Sequence, residues 1–227
     1  MARKIKTEKK KKKGFLKVLF AIIIIALLCV GGFFVWKTYF KKDGKKAVQE
    51  VKILDSIDEY GYSISDRDTK YYQSEYEVLK KILLDKPVDE EKYATQLAKM
   101  FVIDLYTMST KVNKYDIGGD EFFYSEDDDK KEMFEQKLID SMYSSMLDDT
   151  YGDRKQELPE VKEVKVVSTD KTTYLLGKES VDAYLVKMNI SYVKELKYDT
   201  QASVVVVKEG DIKWSVVDIQ PTLNPKY

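Results

Sequence analysis

The sequence predicts an α+β domain outside the cell, attached to the membrane by one N-terminal transmembrane helix. Residues 18–36 form a run of nineteen residues without a charge. Between residues 69 and 147 apolar side chains recur at helical spacing, and after Pro159 they alternate with a period of two. Because the helices precede the strands, we expect helices packed on one face of an antiparallel sheet.

Charge divides the chain into a basic start and an acidic remainder. Residues 1–46 hold 14 Lys/Arg and 2 Asp/Glu, a net charge of +12, so the other residues carry −12 of the total of zero. A basic tail on an acidic domain is the usual meaning of such a division. The acidic domain argues against nucleic-acid binding.

The chain has no histidine, and its only cysteine is Cys29, inside the apolar run. This composition excludes a Ser-His or Cys-His catalytic pair, an intrachain disulfide and a zinc site built on His or Cys. The acidic clusters at 126–129 and 148–153 lack the glycine and distal glutamate of a calcium loop. We therefore expect no metal and no cofactor.

The apolar run has the length of a membrane span. A helix over residues 18–36 would be about 28 Å long, against a hydrocarbon core of about 30 Å. The tail 1–17 carries nine Lys/Arg and residues 37–46 carry five, so the tail is predicted to be cytoplasmic. We expect Val18 and Trp36 to mark the ends of the span, with Trp36, Tyr39 and Phe40 as an aromatic anchor at the outer interface.

A cleaved signal peptide is the alternative interpretation of this segment. Its basic start and apolar centre fit, but the apolar region is too long. Leu28 stands where a lipoprotein signal has a small residue, and residues 30–32 make a poor cleavage site. We interpret the segment as an uncleaved anchor in the cell membrane. Its basic tail either lies against anionic lipid or only sets the topology.

The first half of the extracytoplasmic part is predicted to be helical. A juxtamembrane helix over 47–58 lies within a linker, 37–59, and the domain occupies 60–227. Residues 60–65 are predicted to be extended. Three helices follow: Thr69–Leu84 capped by Asp68 and closed by Pro87, residues 90–112 after Asp89, and residues 125–147. Their Tyr and Met stripes are expected to pack in the core.

The second half is predicted to be strands. Val164 and Val166 alternate with charged residues. Every second residue of 184–192 is apolar and is predicted to lie on one face of a long strand, namely Tyr184, Val186, Met188, Ile190 and Tyr192. Residues 202–207 are apolar on both faces, which indicates a central strand. A hairpin turn at 209–211 leads to the last strand, which contains Ile212, Trp214 and Val216.

Residues 118–122 spell GGDEF, the five letters that name the diguanylate cyclases. In that family the letters form a hairpin between two strands, with a metal-binding Asp about forty residues earlier. Here Asp104 lies fourteen residues upstream in a predicted helix, and no other glycine-rich phosphate loop is present. The predicted topology also places the letters outside the cell. We expect a Gly-Gly turn joining two helices, and no cyclase activity.

The succession of helices and strands that ends in ASVVVVKEGDIKWSVVDI (202–219) resembles the nuclear-transport-factor-two-like (cystatin-like) α+β superfamily, over about residues 60–220. The resemblance implies a curved antiparallel sheet wrapped around a helical layer. With its basic tail and single anchor, the chain also resembles VirB-type bitopic scaffold subunits of type IV secretion and conjugation systems. It departs from their Asn-Pro-x-Gly motif, because Asn224-Pro225 is not followed by the glycine.

Two functions follow as expectations. The first is a scaffold or assembly module without enzymatic activity, which binds membrane lipid through its anchor and binds protein partners, or a second copy, through the sheet face or a tyrosine patch. The second is a small-ligand-binding domain or an enzyme. The superfamily's cone can hold a pocket, where Asp104 or Tyr106 would act and a carboxylate in apolar surroundings could serve as a base.

Overall fold

The computed structural model describes residues 51–124, 128–144 and 156–221. The elements are β1 (Ile53–Ile57), β2 (Tyr62–Ser65), α1 (Lys70–Leu84), α2 (Glu90–Tyr106), a 3₁₀ turn (Asp120–Phe122), α3 (Asp128–Asp140), β3 (Val161–Leu176), β4 (Glu179–Tyr192), β5 (Gln201–Glu209) and β6 (Lys213–Pro221). The predicted anchor, with Val18, Trp36, Tyr39 and Phe40, lies outside the described residues. Within them, no helix is both long and apolar enough to cross a bilayer.

The predicted α+β class and antiparallel sheet are confirmed. Strands β3, β4, β5 and β6 pair in that order, each antiparallel to its neighbour. The turn between β5 and β6 contains Gly210 in the left-handed region, at φ 62°. Val204 and Val206 of β5 are buried in the main core, while Val205 and Val207 are buried in a smaller cluster. The strand is therefore central and buried on both faces, as predicted.

A two-stranded hairpin, β1–β2, stands where part of the juxtamembrane helix was predicted. The helix prediction is wrong for residues 53–57. The extended prediction for 60–65 is confirmed for Tyr62–Ser65, while residues 60 and 61 lie in the hairpin turn. The N–H groups of Tyr60 and Gly61 both donate to the Ile57 carbonyl, and Gly61 has φ 74°. Tyr62 of β2 is fully buried, whereas Leu54 of β1 is exposed. The apolar residues of 51–58 thus form no helical stripe facing the core.

The two long helices begin near their predicted starts. The cap of α1 is Thr69, whose Oγ1 accepts from the Tyr72 N–H at 3.1 Å. The predicted cap, Asp68, instead accepts from the Ser65 N–H at 2.6 Å and its hydroxyl at 2.9 Å. The Asp68 carboxylate binds the preceding strand while Thr69 caps the helix, so this part of the prediction is wrong. Asp89 caps α2 as predicted.

Helix α2 ends at Tyr106, six residues before the predicted end at 112. The N–H groups of Met108 and Ser109 both donate to the carbonyl of Pro159, at 2.9 and 3.1 Å. The chain therefore leaves the helix because it binds the segment that leads into β3. The predicted apolar stripe of this helix is buried as expected at Tyr93, Leu97, Met100, Phe101, Leu105 and Met108.

Helix α3 covers the middle of the predicted 125–147 helix and is followed by a turn at 141–144. The rest of that prediction lies outside the described residues. In the core between the helices and the sheet, the hydroxyls of Tyr62 and Tyr93 are 2.7 Å apart, and the Tyr62 hydroxyl donates to the Trp214 carbonyl at 3.3 Å. These bonds tie the first hairpin to both α2 and β6.

Candidate binding groove

The five letters at 118–122 form a turn that lies directly on α2. A Cβ on Gly118 would be 2.1 Å from the Asp104 carbonyl oxygen, and one on Gly119 would be 2.6 Å from the Phe101 ring. Gly119 also has φ 84°. Only residues without a side chain allow this approach. The predicted Gly-Gly turn is confirmed, and the glycines are explained by close packing on the helix.

Asp104 holds this turn in place. Its Oδ2 accepts from the Gly119 N–H at 2.7 Å, and its Oδ1 accepts from the Lys111 ammonium at 2.5 Å. The Gly118 N–H donates to the Tyr143 hydroxyl at 3.2 Å, and that hydroxyl donates to the Leu105 carbonyl at 2.7 Å. Both oxygens of the carboxylate proposed for catalysis are thus occupied by the protein's own donors.

Glu121, the fourth of the five letters, joins three elements. Its Oε1 accepts from the Tyr72 hydroxyl at 2.9 Å, and its Oε2 accepts from the Ser63 N–H at 3.1 Å. Burial raises the pKa of this carboxyl to about 7, and the charges of Asp104 and Asp68 add to the rise, while the two hydrogen bonds oppose it. The carboxyl therefore titrates near neutral pH at the junction of β2, α1 and the turn.

The packing around these carboxyl groups is solid. The side chains of Asp68, Tyr72 and Asp104 border a space too small for a water molecule. A base must reach the proton it abstracts, directly or through one water. The space between Asp68, Tyr72 and Asp104 thus has no room for a substrate.

Past the turn, an aromatic pair fixes α3. Phe123 forms a parallel bridge with Val216 of β6, and the Tyr124 N–H donates to the Val216 carbonyl at 2.8 Å. The Phe123 ring stacks on Phe134 of α3 with centroids 4.1 Å apart and planes at 7°. Such a pair contributes about 1 kcal/mol beyond the area that it buries. The position of the turn therefore sets the position of α3.

Between α3 and the sheet lies an open groove of about 660 Å³. We call it the α3 groove. Its lining is mostly apolar, with two lysines on α3 and one aspartate on β6, and consists of Leu105, Tyr106, Phe123, Lys130, Met133, Phe134, Lys137, Leu138, Ser141, Met142, Tyr174, Val217, Asp218 and Ile219. The volume is within the range of about 300–1,000 Å³ typical of ligand pockets.

The groove offers apolar contact with charges at its border. Met133 is 66% exposed, and methionine adapts to irregular apolar partners. Lys130 and Lys137 are two helical turns apart, about 10 Å. Burial raises the pKa of Tyr106 to about 12 and also raises that of Tyr174, which Asp218 faces. Both hydroxyls are neutral at physiological pH, so they can form hydrogen bonds but cannot act as bases.

The two residues that were predicted to act in a reaction lie in different places. Tyr106 lines the α3 groove, whereas Asp104 binds the turn. Among the residues that line the groove, Tyr106 was predicted to act in a pocket, whereas Phe134, Leu138 and Met142 were predicted only as apolar positions of a helix. The stack of Phe123 on Phe134 had no signal in the sequence beyond two aromatic residues. In the described part of the chain, no cluster of acidic or thiol side chains is arranged to hold a metal ion.

Comparison with protein-family models, with curated proteins and with solved structures finds no match to this chain. The resemblance to the cystatin-like superfamily and to the secretion scaffolds therefore stays a prediction. The function has to be argued from the groove and the residues around it.

Replacing Gly119 with alanine should destabilise the domain by about 3 kcal/mol or more, because left-handed strain adds to the clash with Phe101. Gly210→Ala is the matched control, since Gly210 has φ 62° and open space around it. That variant should lose only about 1–2 kcal/mol. Urea unfolding of the full chain in detergent measures both losses. Equal losses would show that the turn does not depend on contact with α2.

Glu121 should make stability depend on pH. Its folded pKa of about 7 lies above the ordinary 4.5, so its contribution is complete below about pH 4.5 and is lost as pH rises through 7. In the native chain, the free energy of unfolding should be about 2 kcal/mol lower at pH 8 than at pH 5. The fall should be smaller in Glu121→Gln. Glu77→Gln, on the exposed face of α1, should keep the native fall. The same fall in Glu121→Gln would assign it to other groups.

Proposed function

We propose that this chain is a single-pass membrane protein whose extracytoplasmic domain is a scaffold that binds a partner protein in the α3 groove. The apolar run 18–36 and the excess of basic residues before it support the anchor and its orientation. The secretion or conjugation machinery to which the chain bears a resemblance is the setting we propose for such a scaffold. The groove is the observation that carries the binding function.

The occupant that the groove fits is an apolar peptide segment with an acidic group near one end. Met133 and Phe134 provide apolar contact along α3, while Lys130 and Lys137 provide positive charge on the same face. A helix or strand of a partner would cover the exposed methionine and bring its carboxylate to a lysine. The groove is also bordered by both Tyr174 of β3 and Val217 of β6, which supports a curved sheet.

A small apolar ligand is the second candidate, because the volume of about 660 Å³ suits one. An acid-base reaction has less support. Among the described residues that line the groove, neither Asp104 nor Glu121 is present, and the one carboxylate is that of the half-buried Asp218. Mass spectrometry of the native protein would separate the two candidates. A small molecule of constant mass retained by the chain would favour the ligand, and a protein in fixed ratio would favour the scaffold.

The anchor and its orientation should be visible by labelling single cysteines in intact cells. In a Cys29→Ser background, Leu84→Cys provides a site that is 70% exposed on the domain, and Lys9→Cys provides one in the tail. A membrane-impermeant maleimide should label residue 84 in intact cells and residue 9 only after lysis. Both chains should stay with the membrane after carbonate extraction. Labelling of residue 9 in intact cells would reverse the proposed orientation.

The groove should determine which proteins accompany the chain. Met133→Glu adds a buried negative charge at the interface and should remove at least 90% of a groove-bound partner, a loss of about 1.4 kcal/mol or more. Leu84→Glu is the matched control, because Leu84 is equally exposed but lies on α1 away from the groove. Quantitative mass spectrometry after cross-linking in native membranes measures both. Equal recovery of partners with the two variants would exclude the groove as their site.

A further inference from the structure

Strand β3 is an edge of the four-stranded sheet, and its two halves differ. The first half is covered by helices. The Val164 N–H donates to the Tyr71 hydroxyl of α1 at 2.9 Å, and the Thr169 hydroxyl lies 2.9 Å from that of Thr95 on α2. The second half, residues 170–176, has β4 as its one strand neighbour in the described part of the chain. We call these seven residues the open edge.

The backbone of the open edge points outward at alternate residues. The Ile190 N–H of β4 donates to the Thr200 carbonyl, on the side of β4 away from β3. Along a strand of an antiparallel pair, the direction of the backbone N–H and C=O groups alternates from residue to residue. The backbone groups of even-numbered residues of β4 therefore point away from β3, and those of their partners on β3 point away from β4. Thr173 pairs with Asp182, and Leu175 pairs with Ser180. Thr173 and Leu175 therefore direct both their N–H and C=O groups to the side of β3 opposite β4.

The side chains of the open edge offer little protection against strand pairing. Edge strands usually carry lysines, prolines or bulges that prevent it. The two bulges of β3 lie earlier, between Val161 and Glu163 and between Val166 and Ser168, and the last charge within β3 is Lys171. The five residues that follow, Thr172–Leu176, are β-branched, aromatic or leucine, and Leu175 is 66% exposed. Such a segment has a high propensity to pair with another strand.

We propose that two copies of the chain pair antiparallel through the open edge, centred on Thr173. This register pairs all seven residues of 170–176, and it ends where α2 begins to cover Thr169. Lys171 then faces Leu175 of the other copy, and Asp170 faces Leu176. A register centred on Lys171 would place two ammonium groups opposite each other, which destabilises a sheet. The pairing joins two four-stranded sheets into one of eight strands with two-fold symmetry.

The membrane makes this contact effective. A seven-residue strand pair buries less than the roughly 1,600 Å² of a standard stable interface, so it should be weak between free domains. Anchoring two copies in one bilayer raises their effective concentration. The pairing uses a different element from the partner-binding face of α3, and it rests on the proposed function only for the anchor.

Cysteine cross-linking of the full chain tests the register. In a Cys29→Ser background, Thr173→Cys places two sulfurs opposite each other across the two-fold axis. Thr172→Cys, equally exposed on the same strand, is the matched control, because its counterpart is displaced along the strand. In vesicles of phosphatidylethanolamine and phosphatidylglycerol, mild oxidation should produce at least fivefold more dimer from Thr173→Cys. Equal cross-linking at both positions, or none at either, would overturn the proposal.

Charge exchange provides a second test that does not depend on oxidation. Thr173→Lys and Thr173→Asp each place like charges on the axis and should reduce co-purification of two differently tagged copies. Mixing the two variants should restore it, because opposite charges then face each other. No loss with either variant, or no recovery in the mixture, contradicts pairing at this strand. Repeating the cross-linking at high protein concentration in detergent separates a failure of the anchor from a failure of the pairing.

Discussion

The contact between the Gly118-Gly119 backbone and α2 is the constraint on which the rest of the domain depends. The turn lies against the Asp104 carbonyl and the Phe101 ring, so close that a single methyl group would collide with either. From this fixed point Phe123 reaches the edge of β6 and also stacks on α3. The two glycines thus position the helix, and with it one wall of the α3 groove. The letters that suggest a nucleotide cyclase are accounted for by packing.

A buried carboxyl beside that contact gives the domain its sensitivity to pH. Glu121 accepts one hydrogen bond from α1 and one from β2, which compensates part of the cost of burying a charge. The remaining cost raises its pKa to about 7. Asp104 differs because its Oδ1 is paired with the Lys111 ammonium at 2.5 Å. The two carboxylates therefore differ in electrostatic environment, although one belongs to the turn and the other binds it.

Sequence reasoning predicted the class of the fold, and it failed where tertiary contacts override local pattern. The stripe of α2 and the two-faced apolar run of β5 were readable because their periods are long and regular. Strand β1 was missed because it has only five residues, and their apolar pattern is compatible with a helix as well as a strand. Ile53 and Leu54 are both exposed, so the strand has no regular buried face to distinguish it. The end of α2 was missed because it depends on Pro159, fifty residues later. A pocket was expected only from the resemblance to the superfamily, and Tyr106 does line the groove. The part that α3 has in it could not be foreseen, since an apolar helix position has the same pattern whether it faces a core or a cleft.

Tyr174 connects the two binding surfaces that we propose. It lines the α3 groove, and it is also the residue of the open edge that would face Thr172 of a second copy. A partner seated against the tyrosine ring would hold the strand in the conformation that pairing requires. Pairing would in turn fix one border of the groove. By linkage, any effect of partner binding on the pairing of two copies would be matched by an equal effect of that pairing on partner binding.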